Sequence, residues 1–113
     1  MASRPRILFI CSRNQWRSPT AEAVYRKDPR LEVRSAGTSE KSARRLTARD
    51  LDWADVVLVM EPKHARRIRQ QSRKTTSLPP IYSLDIPDEY QRMDPVLVQL
   101  LRAASEPFIE ELL

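Results

Sequence analysis

The sequence contains one cysteine, one histidine and one glycine among 113 residues, and each scarcity removes a class of explanation. A single cysteine excludes an internal disulfide, and one Cys with one His supplies no ligand cluster for a structural or catalytic zinc. No metal and no cofactor is expected. The lone glycine, Gly37, marks a place with a specific backbone need, either a positive φ or close approach to another segment. No apolar run nears the length of a membrane span, and the opening Met-Ala-Ser-Arg-Pro-Arg lacks the apolar segment of a signal peptide. The expected location is the cytoplasm, without membrane contact. Repeats, linkers and low-complexity tracts are missing too, so residues 1–113 read as one domain with a modest core.

Charge is plentiful. The chain is 41% hydrophobic and 31% charged, with a net charge of +5. That balance suits a soluble protein with anionic partners, either phosphorylated substrates or nucleic acid. Charge alone does not choose between them.

The chain is organised around Ile7-Leu-Phe-Ile-Cys11-Ser-Arg-Asn14-Gln-Trp16-Arg17-Ser18-Pro19-Thr20. Four apolar residues lead into the cysteine, and the cysteine into a helix start, the order in which α/β proteins build an anion site. Ser18 reads as N-cap and Pro19 as first helical residue, with Ala21, Val24 and Tyr25 at helical spacing. Residues 12–17 then form a loop whose backbone N–H groups turn inward, beside the positive end of a helix dipole. Such a centre favours phosphate, sulfate or a thiolate, and the thiolate is the nucleophilic form of Cys11. Arg17 closes the ring with a planar fork that matches two phosphoryl oxygens. Cys-(x)5-Arg alone arises easily in an arginine-rich chain, where a lone cysteine is commonly a small buried hydrophobe. The strand before it, Asn14 within it and Ser-Pro after it supply the missing context. Asn14 tolerates the left-handed conformation of a tight loop, and the Ser18 hydroxyl is placed to donate to the thiolate.

Residues 6–11 read as a buried parallel strand and 18–27 as a helix stopped by Asp28-Pro29. A second strand is expected over 31–36, ending at Gly37, and a basic loop over 39–45. Thr47-Ala-Arg-Asp50 resembles a capping box opening a short helix through Trp53. Residues 55–60 form the next buried strand, and Pro62 opens a helix over 62–72. That helix carries Lys63, Arg66, Arg67 and Arg69, followed by Arg73 and Lys74, while Ala65 and Ile68 face inward. The basic run reads as a solvated face and His64 as a surface residue. A short strand at 81–84 and an aperiodic loop at 85–93 precede a final helix capped by Asp94. Its apolar stripe is Leu97, Leu101, Ala104, Phe108 and Leu112, and Pro107 is expected to kink it or start a last piece. Alternating strands and helices give an α/β, doubly wound, flavodoxin-like three-layer sandwich. Its parallel sheet has four strands in the order 2-1-3-4, with helices on both faces. Cys11, Gly37, Glu61 and the 85–93 loop then emerge at the carboxyl edge, where ligands bind. From that loop a carboxylic acid, Asp85 or Asp88, can reach a phosphate held by Cys11 and Arg17.

These residues resemble the low-molecular-weight protein tyrosine phosphatase family. The likeness runs from Cys11-(x)2-Asn14-(x)2-Arg17-Ser18-Pro19 through Ser35-Ala-Gly-Thr38 and the strand ending Val59-Met60 to Ile86-Pro-Asp88-Glu-Tyr90. It implies a metal-free, two-step hydrolysis of phosphomonoesters, on phosphorylated protein or a small phosphomonoester. Cys11 would be the nucleophile and Arg17 the clamp, with Asp88, rather than Asp85, as the acid. Ser12, Arg13, Asn14, Gln15, Trp16, Arg17 and Ser18 would form the phosphate-binding loop. Asn14 and Ser18 would shape that loop and stabilise the thiolate. A monomer or weak dimer is expected.

Several positions depart from the family pattern. Arg13 stands where the loop usually has Gly, and Trp16 replaces a second loop cysteine, so an oxidised Cys11 would need an outside thiol. Glu89 replaces the Pro after the acid. The chain is a short form: after Thr38 the family has a longer segment walling the phosphotyrosine slot, whereas Arg44-Arg-Leu-Thr47 follows here almost at once. Trp16 and Tyr90 are the aromatic candidates for that wall. The missing wall and Glu89 motivate an alternative, a weakly active or inactive phosphate- or phosphopeptide-binding module on the same fold. A third reading is nucleic-acid binding through Arg44-Arg45 and the 63–74 patch. Without an aromatic stacking platform or known motif it is the least favoured.

Overall fold

The apolar run at the start of the chain lacks polar alternation because both faces of its strand are covered. The computed structural model describes residues 4–72 and 77–113. In it β1 (Arg6–Cys11) lies inside a four-stranded sheet with β2 (Glu32–Gly37), β3 (Val56–Val59) and β4 (Ile81–Ser83). The order is β2-β1-β3-β4 and every pairing is parallel, the expected doubly wound arrangement. Ile7, Phe9 and Cys11 point to one side, where Ala21 and Tyr25 of α1 (Arg17–Tyr25) and Leu97, Leu101 and Ile109 of α4 (Pro95–Leu112) cover them. Leu8 and Ile10 point to the other side, under Leu51 of α2 (Ala48–Trp53) and Ala65 and Ile68 of α3 (Pro62–Gln71). Each fully buried side chain of this size is worth roughly 1.5–3 kcal/mol, so this one strand anchors both layers.

Local signals fix most boundaries. Thr47 caps α2, its hydroxyl accepting from the Asp50 amide while the Asp50 carboxylate accepts from the Thr47 amide. Asp94 caps α4 through the Val96 amide, with Pro95 as first helical residue. The 85–93 segment is a loop, and among the described residues no helix is long and apolar enough to cross a membrane.

Four expectations need correction. The first helix starts at Arg17, with Trp16 as N-cap and no side-chain cap; Ser18 lies inside it and turns its hydroxyl to Cys11. His64 is buried, only 1% exposed, because the N-terminal turn of α3 packs against the anion loop. Helix α4 continues past Pro107 to Leu112, so no separate last piece starts there; Pro107 lies on the exposed side, where water can serve the carbonyl left without its N–H partner. The core stripe ends on Ile109 while Leu112 is exposed: the buried positions advance in steps of four, Leu97, Leu101, Ser105 and Ile109, so the covered face turns gradually around the helix, with Ala104 and Phe108 partly buried at its edge. Arg73 and Lys74 of the basic run lie outside the described residues.

Candidate active site

Cys11 ends β1, with its thiol on the α1 side of the sheet, and residues 12–16 loop over it into α1. Asn14 takes a left-handed φ of 52°, the conformation that lets so short a loop reverse. Three carbonyls of the strand end and loop are held from outside: Thr38, Ser39 and Ala43 N–H groups donate to the Cys11, Ser12 and Arg13 carbonyls at 3.1, 2.8 and 3.1 Å. With their carbonyls bonded outward, the loop peptides are oriented from the far side of the anion centre. The shortened segment after β2 is therefore the brace of the loop.

Gly37 is required by that brace. It pairs with Cys11 across the sheet, and a Cβ there would stand 2.8 Å from the Ser12 carbonyl oxygen and 2.1 Å from Ser42 Oγ. No glycine has positive φ, so of the two reasons for a glycine, close approach is the operative one.

Beneath the loop runs a directional hydrogen-bond chain. The Ser35 hydroxyl donates to Glu22, and the Asn14 amide donates to Ser35 Oγ and to Ser18 Oγ, each at 2.9 Å. Ser18 Oγ thus accepts from Asn14, which leaves its own hydrogen for Cys11 Sγ at 2.9 Å. Asn14 and Ser18 are buried supports, not cleft lining. Glu22 carries no chemical signal in the sequence, and Ser35 stands out there only through the resembled Ser35-Ala-Gly-Thr38 motif, with no role attached to it.

Arg17 is 2% exposed, and a buried guanidinium needs partners. Its Nη1 donates to Glu61 Oε2 at 2.8 Å and to the Ile86 carbonyl at 2.6 Å. Both Nη1 hydrogens are then used, and the Nε–Nη2 edge is left as the fork for an anion. Asp88 Oδ1 stands 3.6 Å from Nε. Glu61 therefore reaches the clamp and not the phosphate position suggested by its place on the sheet edge. Burial raises the Glu61 carboxyl, but the hydrogen bond and charge of Arg17 outweigh it and hold the group below the usual range.

His64 is a further missed residue. Burial, aided by the Arg17 charge, lowers its pKa to about 4, so the imidazole is neutral near pH 7. Nδ1 accepts from the Glu61 amide at 3.0 Å, so Nε2 bears the hydrogen and donates to Ser12 Oγ at 3.0 Å. The available signal was Glu61-x-x-His64 at a strand-to-helix turn on the ligand edge.

Cys11, Ser12, Arg13, Gln15, Trp16, Arg17 and Asp88 line one cleft of about 110 Å³, the size of a small anionic group. Trp16 is 39% exposed at its rim. Tyr90 is not among the lining residues; it packs partly buried against the α1/α4 core layer. The two candidate acids separate: Asp85 accepts from the Ser83 hydroxyl, a loop-capping carboxylate, while Asp88 faces Cys11. Among the described residues, no group of three or more His, Cys, Asp or Glu is placed to hold a metal ion.

No family model and no curated protein sequence matches the chain. Solved structures do. The arginine phosphatase YwlE from Geobacillus stearothermophilus superposes with a TM-score of 0.72 at 25% identity, over 96% of this chain and 92% of its own. The tyrosine phosphatase Wzb from Escherichia coli K30, solved with phosphate, gives 0.72 at 25% identity over 97% and 99%. The chain shares its fold with solved phosphatases of the low-molecular-weight tyrosine phosphatase type. A Streptococcus pyogenes member shares the fold with a TM-score of 0.73 at 19% identity, over 96% and 93%. The flavodoxin-like sheet, in the order β2-β1-β3-β4, is thus shared with solved phosphatases over most of the chain.

Proposed function

We propose that residues 1–113 form a cytoplasmic, cysteine-dependent phosphomonoester hydrolase of the low-molecular-weight tyrosine phosphatase type. The observation that carries this is the cleft: a thiol given a hydrogen bond by Ser18, a buried arginine with no hydrogen bond made by its Nε–Nη2 edge, and the Asp88 carboxyl group beside that edge, all facing one small volume. Cys11 Sγ attacks phosphorus, forming the S–P bond as the ester P–O bond breaks. Asp88 gives its proton to the leaving oxygen. The Asp88 carboxylate then takes a proton from water as that water attacks phosphorus, the S–P bond breaks, and inorganic phosphate leaves. Arg17 and the loop N–H groups hold the equatorial oxygens throughout. Because Asp88 is 55% exposed, it meets leaving groups of varied shape. The substrate is a phosphorylated protein or a small phosphomonoester, and the protein acts as a monomer or weak dimer.

Purified protein should hydrolyse p-nitrophenyl phosphate between pH 5 and 8, and Cys11→Ser should abolish turnover. Asp88→Asn should slow alkyl phosphates more than p-nitrophenyl phosphate, whose leaving group needs little protonation. Phosphoarginine belongs in the panel, since YwlE is an arginine phosphatase. No turnover of any of these by folded protein would overturn the hydrolase reading in favour of a phosphate-binding module.

A further inference from the structure

A second, larger cavity of about 430 Å³ abuts the Cys11 cleft, and Ser12 lines both. One wall is Ser12, Thr38 and Ser39; the opposite wall is the exposed side of α3, with Lys63, Arg66 and Arg67. Among the described residues no acidic side chain lines it. The walls are fixed to each other: the Gln71 amide donates to the Thr38 carbonyl at 3.3 Å, and His64 donates to Ser12. Among the described residues no Phe, Tyr or Trp side chain lines it, and His64 and Gln70 complete its lining.

Three cations facing three hydroxyl-bearing residues, around a space several times that of the nucleophile's cleft, make poor lodging for an aromatic ring and good lodging for an anion. We propose that this cavity is a specificity subsite for a second anionic group on the same substrate, a phosphate or a carboxylate placed close to the phosphate under attack. The proposal rests on the hydrolase reading and names its substrate class: doubly anionic phosphomonoesters. The basic run of α3 is then divided by function. Lys63, Arg66 and Arg67 face the subsite, whereas Arg69, on the same helix, does not line it.

The test compares matched pairs. One arm is glucose 6-phosphate against glucose 1,6-bisphosphate, and the other a phosphotyrosine peptide with alanine against the same peptide with aspartate beside the phosphotyrosine. The readouts are kcat/KM for the native sequence and dissociation constants for the Cys11→Ser protein, so an inactive enzyme still yields an answer. The doubly anionic member should be preferred by roughly tenfold in at least one arm, the scale of one charge-assisted contact at a partly open site. That ratio should fall toward one in Arg66→Gln/Arg67→Gln and with rising salt, and remain in Arg69→Gln. The arm that shows the preference identifies the source of the second anion. A ratio near one in both arms, or one that survives the double substitution, overturns the subsite. Loss of p-nitrophenyl phosphate turnover with a retained affinity ratio would overturn the hydrolase reading alone.

Discussion

Replacing Gly37 with alanine tests whether the shortened segment braces the anion loop. The added methyl would lie 2.1 Å from Ser42 Oγ, 2.7 Å from Ser42 Cβ and 2.8 Å from the Ser12 carbonyl oxygen. Ser42 can rotate its hydroxyl away, but that hydroxyl bonds to the Ser12 and Ser39 carbonyls at 3.0 and 2.6 Å, and losing the bond costs about 1 kcal/mol. The Cβ and carbonyl contacts remain, and relieving them by backbone shifts costs about 1–3 kcal/mol. Gly37→Ala should therefore lose about 2–4 kcal/mol in urea unfolding, and phosphatase activity should fall with it because the carbonyl belongs to the residue after Cys11. A second substitution, Ser42→Gly, removes two of the three clashes. Compared with Ser42→Gly alone, the double variant should still be about 1 kcal/mol less stable and still impaired in turnover. Stability within about 0.5 kcal/mol of the native protein, or full recovery of activity in the double variant, would refute the brace.

Asn14→Ala and Asn14→Gly both lose the amide bonds to Ser18 and Ser35, about 1 kcal/mol each; alanine should be a further ~1 kcal/mol worse, because φ is 52°. Equal stabilities in chemical unfolding would remove the left-handed backbone from the explanation. His64 has a pKa of about 4 in the fold against 6.5 in the free side chain, so the fold prefers the neutral form. Its contribution is fully present above pH 6.5 and is lost as pH falls toward 4, with a slope of at most about 1.4 kcal/mol per pH unit. His64→Gln should flatten this part of the stability profile, and an unchanged profile would show that His64 is not the group responsible.

Much of this site was readable in the chain because its information is local. Cys11, Asn14, Arg17 and Pro19 fall within nine consecutive residues, a strand end, a loop and a helix start. The two apolar runs named the central strands for a related reason: a strand covered on both faces has no polar alternation to hide it. The short brace was read as a loss, because a deletion shows what is missing and not what the remaining residues touch. His64 looked like part of a basic surface, and Ser18 like a cap, since both assignments follow from ordinary helix patterns when the partner across the fold is unknown.

The sequence by itself determined the loop between β1 and α1, the α/β alternation and the strand order, all set by local patterning and by the few connections a parallel sheet permits. Only the tertiary structure decided the partners that lie far apart in the chain. Glu61 and the Ile86 carbonyl hold Arg17, His64 holds Ser12, and Tyr90 packs partly buried against the core. A carboxylate or imidazole carries the same letter whether it faces water or a buried cation. Its role is set by distance and burial, and both arise only when the sheet edge brings four separate segments together.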